Sequence, residues 1–241
     1  VQDEIGRPIM IGRRELHASL SMGAAIAPRD GNDPDELLRK ADIALYDAKA
    51  NGRNRRSFFE PNMEHHVQSK DRLSRELRLA LKNDELTLAY QPQSDTSAKR
   101  IVSVEALARW TKEDGTVISP AQFIPVAEES GMIVPLGDWV LGQTMALLAQ
   151  WQREGLEDLR LAVNLSARQF SGGTLLARLD ELVAQHGIDP SLMELEITET
   201  AAMRDPEATR LLLRQLRTRG FKLAIDDFGT GYSSLSYLKL F

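Results

Sequence analysis

The chain has 241 residues, of which 42% are hydrophobic and 27% are charged, the composition of an ordinary globular protein. Its 30 Lys and Arg residues against 35 Asp and Glu residues give a net charge of -5. This argues against a general DNA- or RNA-binding surface, but not against a small phosphate ligand held by a few arginines. Cysteine is absent, which excludes disulfides and thiolate metal sites, and no apolar run is long enough to span a membrane.

The sequence of the first part of the chain predicts two strands joined by a turn. Strands are expected at residues 6–11 and 15–27, joined by a turn at Gly12-Arg13-Arg14. A hairpin and one following helix bury little core by themselves. We therefore expect residues 1–58 to be the C-terminal tail of a larger α+β domain.

The predicted helix of this part has clear start and stop signals. Asp33 suits the N-cap and Pro34 the first helical position, and Asn51-Gly52 predicts the end of the helix. Residues 59–71 are polar and predict a linker. Two adjacent histidines in it are more typical of a solvated linker than of a metal site.

A different pattern begins near Asp71, where strands and helices start to alternate. Strands are predicted at 86–91, 101–107, 159–164, 192–197 and 221–225. Helices are predicted at about 71–82, from Pro120 to before Gly131, and at about 135–154, 174–186 and 206–219. The first two strands are expected to pair as a hairpin. The later strand–helix order predicts parallel strands with crossover helices, as in a (β/α) barrel.

Oxygen-bearing side chains fall at or near the carboxyl ends of successive predicted strands. They are Glu105, Asn164, Glu196, Asp226 and Asp227. In a (β/α) barrel this is the end at which active sites form. Donors of this kind, with no His or Cys, suit Mg²⁺, Mn²⁺ or Ca²⁺, and acid-rich centres often hold two ions that promote displacement at phosphorus. Arg109 would then bind a phosphate.

Each of these residues also has a simpler interpretation. Asn164 could be a turn residue, Glu105 a solvent-facing residue of an edge strand, and Glu196 a solvent-facing residue. Asp226 or Asp227 could cap a following helix. Their joint arrangement favours the hypothesis of a divalent-metal phosphodiesterase site.

Five motifs, in order along the chain, resemble the EAL domain of cyclic di-GMP phosphodiesterases. They are Tyr90-Gln91-Pro92, Glu105-Ala106-Leu107-Ala108-Arg109-Trp110, Asn164-Leu165-Ser166, Glu196-Ile197-Thr198-Glu199, and Asp226-Asp227-Phe228-Gly229-Thr230-Gly231-Tyr232-Ser233-Ser234-Leu235. The resemblance implies a TIM-like barrel whose first strand is antiparallel to the others. It also implies hydrolysis of one phosphodiester bond of cyclic di-GMP, giving linear pGpG.

The resemblance also implies roles for single residues. The metal ligands would be Glu105, Asn164, Glu196, Asp226 and Asp227, holding Mg²⁺ or Mn²⁺, with two ions expected. Substrate contacts would be Gln91 and Arg109. Glu199 would steady the loop after the Asp pair, and Glu105, Asp226, Asp227 and Glu199 would form the catalytic set. The resemblance further implies that this loop, residues 228–234, takes part in metal coupling and in a homodimer contact. Gln93 departs from the family pattern, in which an apolar residue usually follows Gln-Pro.

The first part resembles the end of a GGDEF diguanylate cyclase domain. The residues that carry this are Ser21-Met22-Gly23, Ala41-Asp42-Ile43-Ala44-Leu45-Tyr46-Asp47-Ala48-Lys49 and Gly52-Arg53-Asn54. The resemblance implies that Lys49 and Arg53 contact nucleotide phosphates. Alternatively, both are solvated charges that favour the dipole of the helix end.

Together these observations predict a partial GGDEF domain at 1–58, a linker at 59–71 and a partial EAL domain, an incomplete barrel, at 72–241. We expect a cytoplasmic domain of a longer protein, with any membrane anchor upstream of Val1. We also expect residues 1–241 alone to fold poorly and to lack activity. Two hypotheses remain: a phosphodiesterase, favoured because all five metal ligands are present, and a receptor that binds cyclic di-GMP without cleaving it.

Overall fold

The structure is a computed structural model that describes residues 5–6, 8–12, 14–16, 18–95, 97, 100–156, 158–203 and 205–227. The chain divides into two compact units, Val1–Arg72 and Leu73–Phe241. Among the described residues, no single helix is long and apolar enough to cross a membrane. The consecutive helices Pro120–Ser130 and Ile133–Arg153 meet the length and composition criteria only as a pair, across a bend of 120°.

The first unit contains a short hairpin, a parallel strand pair and a capped helix. Its elements are β1 Ile9–Ile11, β2 Arg14–Leu16, β3 Met22–Ala24, α1 Pro34–Ala50 and β4 Arg56–Phe58. The predicted start of α1 is confirmed, since Asp33 accepts a hydrogen bond from the backbone N–H of Glu36 and Pro34 takes the first helical position. The helix ends at Ala50, with Asn51 as its C-cap.

The predicted strand 15–27 is wrong in its extent. It is two separate strands with different partners: β2 pairs antiparallel with β1, whereas β3 pairs in parallel with β4. The sequence did not predict β4, because three residues show no alternation long enough to distinguish a strand from a loop. A parallel partner more than 30 residues away leaves no local signal.

A second correction concerns the helix predicted at about 71–82, which begins earlier, within the predicted linker 59–71. Helix α2 extends from Pro61 to Ala80 without interruption, ten residues longer at its start than predicted. No Gly or Pro follows Pro61 within it, and Met63 and Val67, four residues apart, are half-buried on one side. Its polar composition is therefore that of an exposed helix face.

The second unit is built on one mixed sheet with helices between its parallel strands. The strands are β5 Leu86–Asp95, β6 Arg100–Thr111, β7 Val117–Ile118, β8 Arg160–Leu165, β9 Met193–Thr198 and β10 Lys222–Asp226. The helices after α2 are α3 Pro120–Ser130, α4 Ile133–Arg153, α5 Ala167–Ser171, α6 Leu175–His186, α7 Glu199–Met203 and α8 Pro206–Thr218. A 3₁₀ turn, Pro190–Leu192, precedes β9.

The sheet confirms the predicted barrel-like topology. Its strand order is β10-β9-β8-β6-β5, and β7 pairs with β6 beside this path. Strands β6, β8, β9 and β10 are parallel, whereas β5 is antiparallel to β6, as the predicted hairpin requires. The described residues form an open part of a TIM-like barrel and no closed one.

The helix boundaries of this unit follow from local sequence. Ser119 and Gln122 form a complete capping box at α3, and Asp205 caps α8. Gly131 and Gly187 end α3 and α6 in the left-handed conformation, with φ of 80° and 66°.

Strand β5 continues to Asp95, although an end was predicted at Pro92. Pro92 lies opposite Val104 of β6, and β5 is the last strand in the order of the described sheet. A proline without an N–H is tolerated there, because an edge position demands no hydrogen bond on its outer side. The strand therefore extends the hairpin past the expected stop.

The core lies between the helices and one side of the sheet. It buries apolar side chains of alternate strand positions against α4 and α6, among them Ala106, Leu161, Val163, Leu195, Ile197, Leu141, Leu148 and Leu179. A second cluster surrounds Trp110 and Phe123, whose rings meet edge to face at 5.8 Å. The opposite side of the sheet is left for polar side chains.

Candidate metal centre

One face of the sheet collects the predicted site residues. Directly paired residues point to the same face, and Glu105 of β6 is paired with Gln91 of β5 and with Ala162 of β8. Two residues further along β8, Asn164 is paired with Glu196 of β9. Because side-chain direction repeats every two residues, these polar groups share the face opposite the core.

Two of these side chains are in direct contact. The Nδ2 of Asn164 donates a hydrogen bond to Oε1 of Glu105, at 2.7 Å. Glu105 is half-buried on β6, between β5 and β8, so it is not the edge-strand residue of the alternative interpretation. The contact links β6 and β8 through their site residues.

Glu196 is the most buried carboxylate of the group, with 8% of its surface exposed. Burial and then the negative charge of Glu105 raise its pKa to about 7, with Asp226 and Glu194 contributing to the same shift. A side-chain hydrogen bond from Gln93 acts in the opposite direction. Glu196 therefore does not face open solvent, and it lies close enough to Glu105 and Asp226 to sense their charge.

Strand β10 ends at the predicted pair of aspartates. Ala224 is paired with Glu196, so Asp226, two residues further, lies on the site face. An Oδ1 of Asp226 accepts a hydrogen bond from the backbone N–H of Asp227 at 2.8 Å. Asp227 itself has a left-handed φ of 55°, which turns the chain out of the strand. The loop 228–234, predicted for metal coupling and dimer contact, lies outside the described residues.

The predicted substrate contacts flank this group. Gln91 is exposed and lies opposite Glu105, whereas Arg109 is half-buried further along β6 on the same face. The Nη1 of Arg109 donates to the backbone oxygen of Ala108 at 2.9 Å. Glu199 opens α7 directly after β9 and is 3% exposed, so it is a buried acid next to the site strand.

The residues predicted in the first unit are not part of such a cluster. Lys49 lies in the last turn of α1 and is exposed. Arg53 is exposed too, with a left-handed φ of 58°, and its backbone N–H donates to the oxygen of Ala48. Both stand near the helix end, where a cation is favourable to the helix dipole.

The sequence interpretation did not predict the capping box that follows β8, two residues after Asn164. Helix α5, which follows β8 directly, opens with a capping box in which Ser166 and Gln169 bond each other's backbone N–H groups. Gln169 is 5% exposed and its Nε2 has no described hydrogen-bond partner. Its side chain lies against Gly137 of α4, where an added Cβ would lie 2.0 Å from Nε2. The side chain of Gln169 therefore has room only if position 137 is glycine, and no local sequence pattern predicts this contact.

Replacing Gly137 with Ala is expected to lower the stability of this domain by about 1–3 kcal/mol, the usual cost of overpacking. The added methyl group would displace Gln169 and open the capping box, so turnover should fall as well. Thermal unfolding and an activity assay measure the two effects. Gly142→Ala in the same helix is the control, because an added Cβ there meets its nearest atom at 4.0 Å. Equal stability of both variants would contradict this role of Gly137.

The donor chemistry fits a hard divalent cation. Carboxylate and amide oxygens are the ligands that Mg²⁺ and Mn²⁺ prefer, and Glu105, Asn164, Glu196 and Asp226 share one face. Burial raises the pKa of Glu196 most, and the negative charges of Glu105 and Asp226 raise it further; a bound cation would relieve this repulsion. Among the residues that the structure describes, no three His, Cys, Asp or Glu side chains are grouped closely enough to hold one ion.

Comparison with protein families gives two matches along the chain. The family model for the EAL domain matches residues 74–241, and the model described as diguanylate cyclase, GGDEF domain, matches residues 2–55. EAL phosphodiesterases are generally dependent on divalent metal.

Curated relatives match this chain across both of these regions. The bifunctional diguanylate cyclase/cyclic di-GMP phosphodiesterase MucR of Pseudomonas aeruginosa is 43% identical over 235 residues, covering 98% of this chain and 34% of MucR. The cyclic di-GMP phosphodiesterase PdeR of Escherichia coli is 39% identical over 234 residues, 97% of this chain and 35% of PdeR. The chain thus spans about a third of the length of these relatives.

Solved structures share the fold. The PaMucR phosphodiesterase in complex with c-di-GMP has a TM-score of 0.67 and 43% identity, over 70% of this chain and 68% of that one. The EAL enzyme Bd1971 in its cGMP-bound form has a TM-score of 0.68 and 29% identity, over 86% of this chain and 54% of that one.

Proposed function

Because the chain belongs to the EAL domain family, we propose that the intact protein hydrolyses cyclic di-GMP to linear pGpG with the aid of a divalent metal. One observation carries the proposal. Four oxygen-bearing side chains from β6, β8, β9 and β10 share a face, and burial together with the charge of two of the others raises the pKa of the most buried one, Glu196. A face that concentrates negative charge is suited to a cation and, through it, to a phosphodiester.

In this proposal Glu105, Asn164, Glu196, Asp226 and Asp227 hold Mg²⁺ or Mn²⁺. When bound, the ion would supply Lewis acidity at a phosphate oxygen and would lower the pKa of a water.

The other side chains act on the substrate and on the site itself. Arg109 binds a phosphate oxygen of the substrate, and Gln91 orients it beside Glu105. Glu199, buried after β9, steadies the loop that follows Asp226 and Asp227. Water adds to phosphorus as one P–O bond of the ring breaks, which opens the cyclic dinucleotide to pGpG.

Further parts of the proposal concern the whole protein. We assign residues 1–58 to a partial GGDEF domain, 59–71 to a linker and 72–241 to a partial EAL domain. We also propose that the site holds two metal ions and that the protein forms a homodimer through its EAL domain. Lys49 and Arg53 are assigned to nucleotide phosphates in the GGDEF part.

Removing the metal tests the reaction. The intact protein with Mg²⁺ or Mn²⁺ is expected to convert cyclic di-GMP to pGpG, measured by liquid chromatography. EDTA should stop the conversion, and excess Mn²⁺ should restore it. Tight binding of cyclic di-GMP with no pGpG formed, with either ion, would contradict the enzyme and favour the receptor.

A further inference from the structure

We propose that Gln169 is a positioning residue of the metal site, which fixes the turn that carries Asn164. The inference rests on the proposed function, because it concerns the same site. Asn164 is the next-to-last residue of β8, and Ser166 follows the strand as the N-cap of α5. Gln169 is the third residue of that short helix and acts on Asn164 through this turn.

The sheet holds Asn164 more firmly on one side than on the other. Towards β9, Asn164 is directly paired with Glu196. Towards β6, the described pairing of β8 ends one residue earlier, at Val163. Glu105 is paired with Ala162, so the hydrogen bond from Asn164 to Glu105 is diagonal and lies beyond the last pair. Its geometry therefore depends on how the chain leaves β8.

Gln169 holds the chain at the point where it leaves β8. Its Oε1 accepts hydrogen bonds from the backbone N–H of Ser166 at 3.1 Å and from the Oγ of Ser166 at 3.0 Å. Its own backbone N–H donates to the same Oγ at 3.3 Å. One of these three bonds uses the peptide group that links Ser166 to β8, so together they fix the orientation of that peptide.

Gln169 is itself held in place by packing. Its side chain is buried, and a Cβ added to Gly137 of α4 would lie 2.0, 2.4 and 2.5 Å from its Nε2, Cδ and Oε1. Beside it, the Nη2 of Arg168 donates to the backbone oxygen of Glu129 in α3 at 3.4 Å. A close-packed interior leaves such a side chain one position, so the turn after β8 is tied to the helices behind it.

The orientation of Asn164 decides which of its atoms can bind a cation. An ionised carboxylate accepts hydrogen bonds and donates none, so the Nδ2 of Asn164 must face Glu105, which it does at 2.7 Å. The Oδ1 is then the atom left for a hard cation, which binds oxygen. A turn that let the end of β8 rotate would lose this contact and move Oδ1. Groups that orient a ligand in this way commonly govern metal affinity.

The test compares Mn²⁺ affinity with stability in full-length variants, by isothermal titration calorimetry without substrate and by thermal unfolding. Gln169→Met fills a similar space but offers Ser166 no acceptor, and it is expected to weaken Mn²⁺ binding about tenfold. Gln169→Glu keeps the acceptor, because Glu serves at this position of a capping box as Gln does, and should bind Mn²⁺ like the wild type. Its buried charge should nevertheless make it the less stable of the two variants. Opposite orders of affinity and stability distinguish positioning from a general loss of folding.

Gln122→Met is the matched control. Gln122 has the same place in the capping box of α3, where its Oε1 accepts a hydrogen bond from the backbone N–H of Ser119 at 3.2 Å. The strand before that box, β7, carries none of the predicted ligands. Gln122→Met should therefore bind Mn²⁺ like the wild type.

The outcomes separate this inference from the proposed function. Wild-type protein that binds Mn²⁺ and forms pGpG, beside a folded Gln169→Met variant with unchanged Mn²⁺ affinity, would overturn the role of Gln169 alone. Equal weakening in Gln169→Met and Gln169→Glu would do the same, because the effect would then follow packing and not the acceptor. If Gln169→Met fails to fold, Gln169→Leu, which also lacks an acceptor, takes its place. Wild-type protein that binds no Mn²⁺ and forms no pGpG would overturn both.

Discussion

Replacing Glu105 with Gln is expected to reduce pGpG formation about a thousandfold while the domain stays folded. Glu105 lies between the two halves of the site: it accepts a hydrogen bond from Asn164 and its charge acts on Glu196. The substitution removes a ligand charge of a cation that supplies several kcal/mol to the reaction. Since 1.36 kcal/mol is a factor of ten in rate, such a loss corresponds to about three orders of magnitude.

The measurement is the initial rate of pGpG formation by the full-length variant at saturating Mn²⁺. Glu113→Gln is the matched control, because Glu113 is exposed in the turn between β6 and β7, away from the site face. A second readout is independent of turnover: without the charge of Glu105, the pKa of Glu196 should fall. A rate within fivefold of the wild type would show that Glu105 does not serve the reaction.

The local parts of this fold could be predicted because their causes are local. Helix α3 starts where Ser119 and Gln122 can reach each other's backbone, and α8 starts where Asp205 can cap it. Glycine at the end of α6 permits the left-handed residue that stops the helix. The crossover order of strands and helices then left parallel pairing as the consistent topology.

The errors have causes that lie far away in the sequence. Strand β4 exists through pairing with β3, more than 30 residues earlier. Helix α2 begins at Pro61 because its polar residues are compatible with an exposed helix, which composition alone does not separate from a linker. Strand β5 passes through Pro92 because it lies at the end of the described sheet, a fact about neighbours that its own residues do not contain.

The same distinction applies to the candidate site, where the positions of residues could be predicted from the sequence and their contacts could not. The strand pattern of the sequence is enough to predict that Glu105, Asn164 and Glu196 lie towards one end of the sheet. The contacts among them could not be predicted, since they depend on register and curvature. The hydrogen bond from Asn164 to Glu105 shows this most clearly, because it joins residues 59 positions apart on neighbouring strands. Which residue supports a ligand is decided by the fold.

Glu196→Gln is expected to remove the pH dependence that Glu196 gives to the stability of the domain. In the absence of divalent metal, the folded pKa of Glu196 is about 7, above the value of 4.5 for a free glutamate. The folded state therefore holds a proton that the unfolded state releases between these values. Its stabilising contribution is complete below pH 4.5 and is lost as the pH rises through 7.

Above pH 7 the wild type carries a buried charge beside Glu105 and Asp226, and Gln at position 196 does not. The variant should then be more stable than the wild type by about 2 kcal/mol, given 1.36 kcal/mol per pKa unit and some solvent screening. The difference should shrink towards zero near pH 5. Thermal unfolding of both proteins from pH 5 to 8, in EDTA, measures this difference in stability.

Added Mn²⁺ should make the wild type the more stable protein at pH 8, because only the wild type offers the carboxylate and ligand binding stabilises the folded state. A difference between the two proteins that does not change with pH would show that Glu196 ionises like an exposed glutamate, and the argument for crowded charge at this site would fail with it.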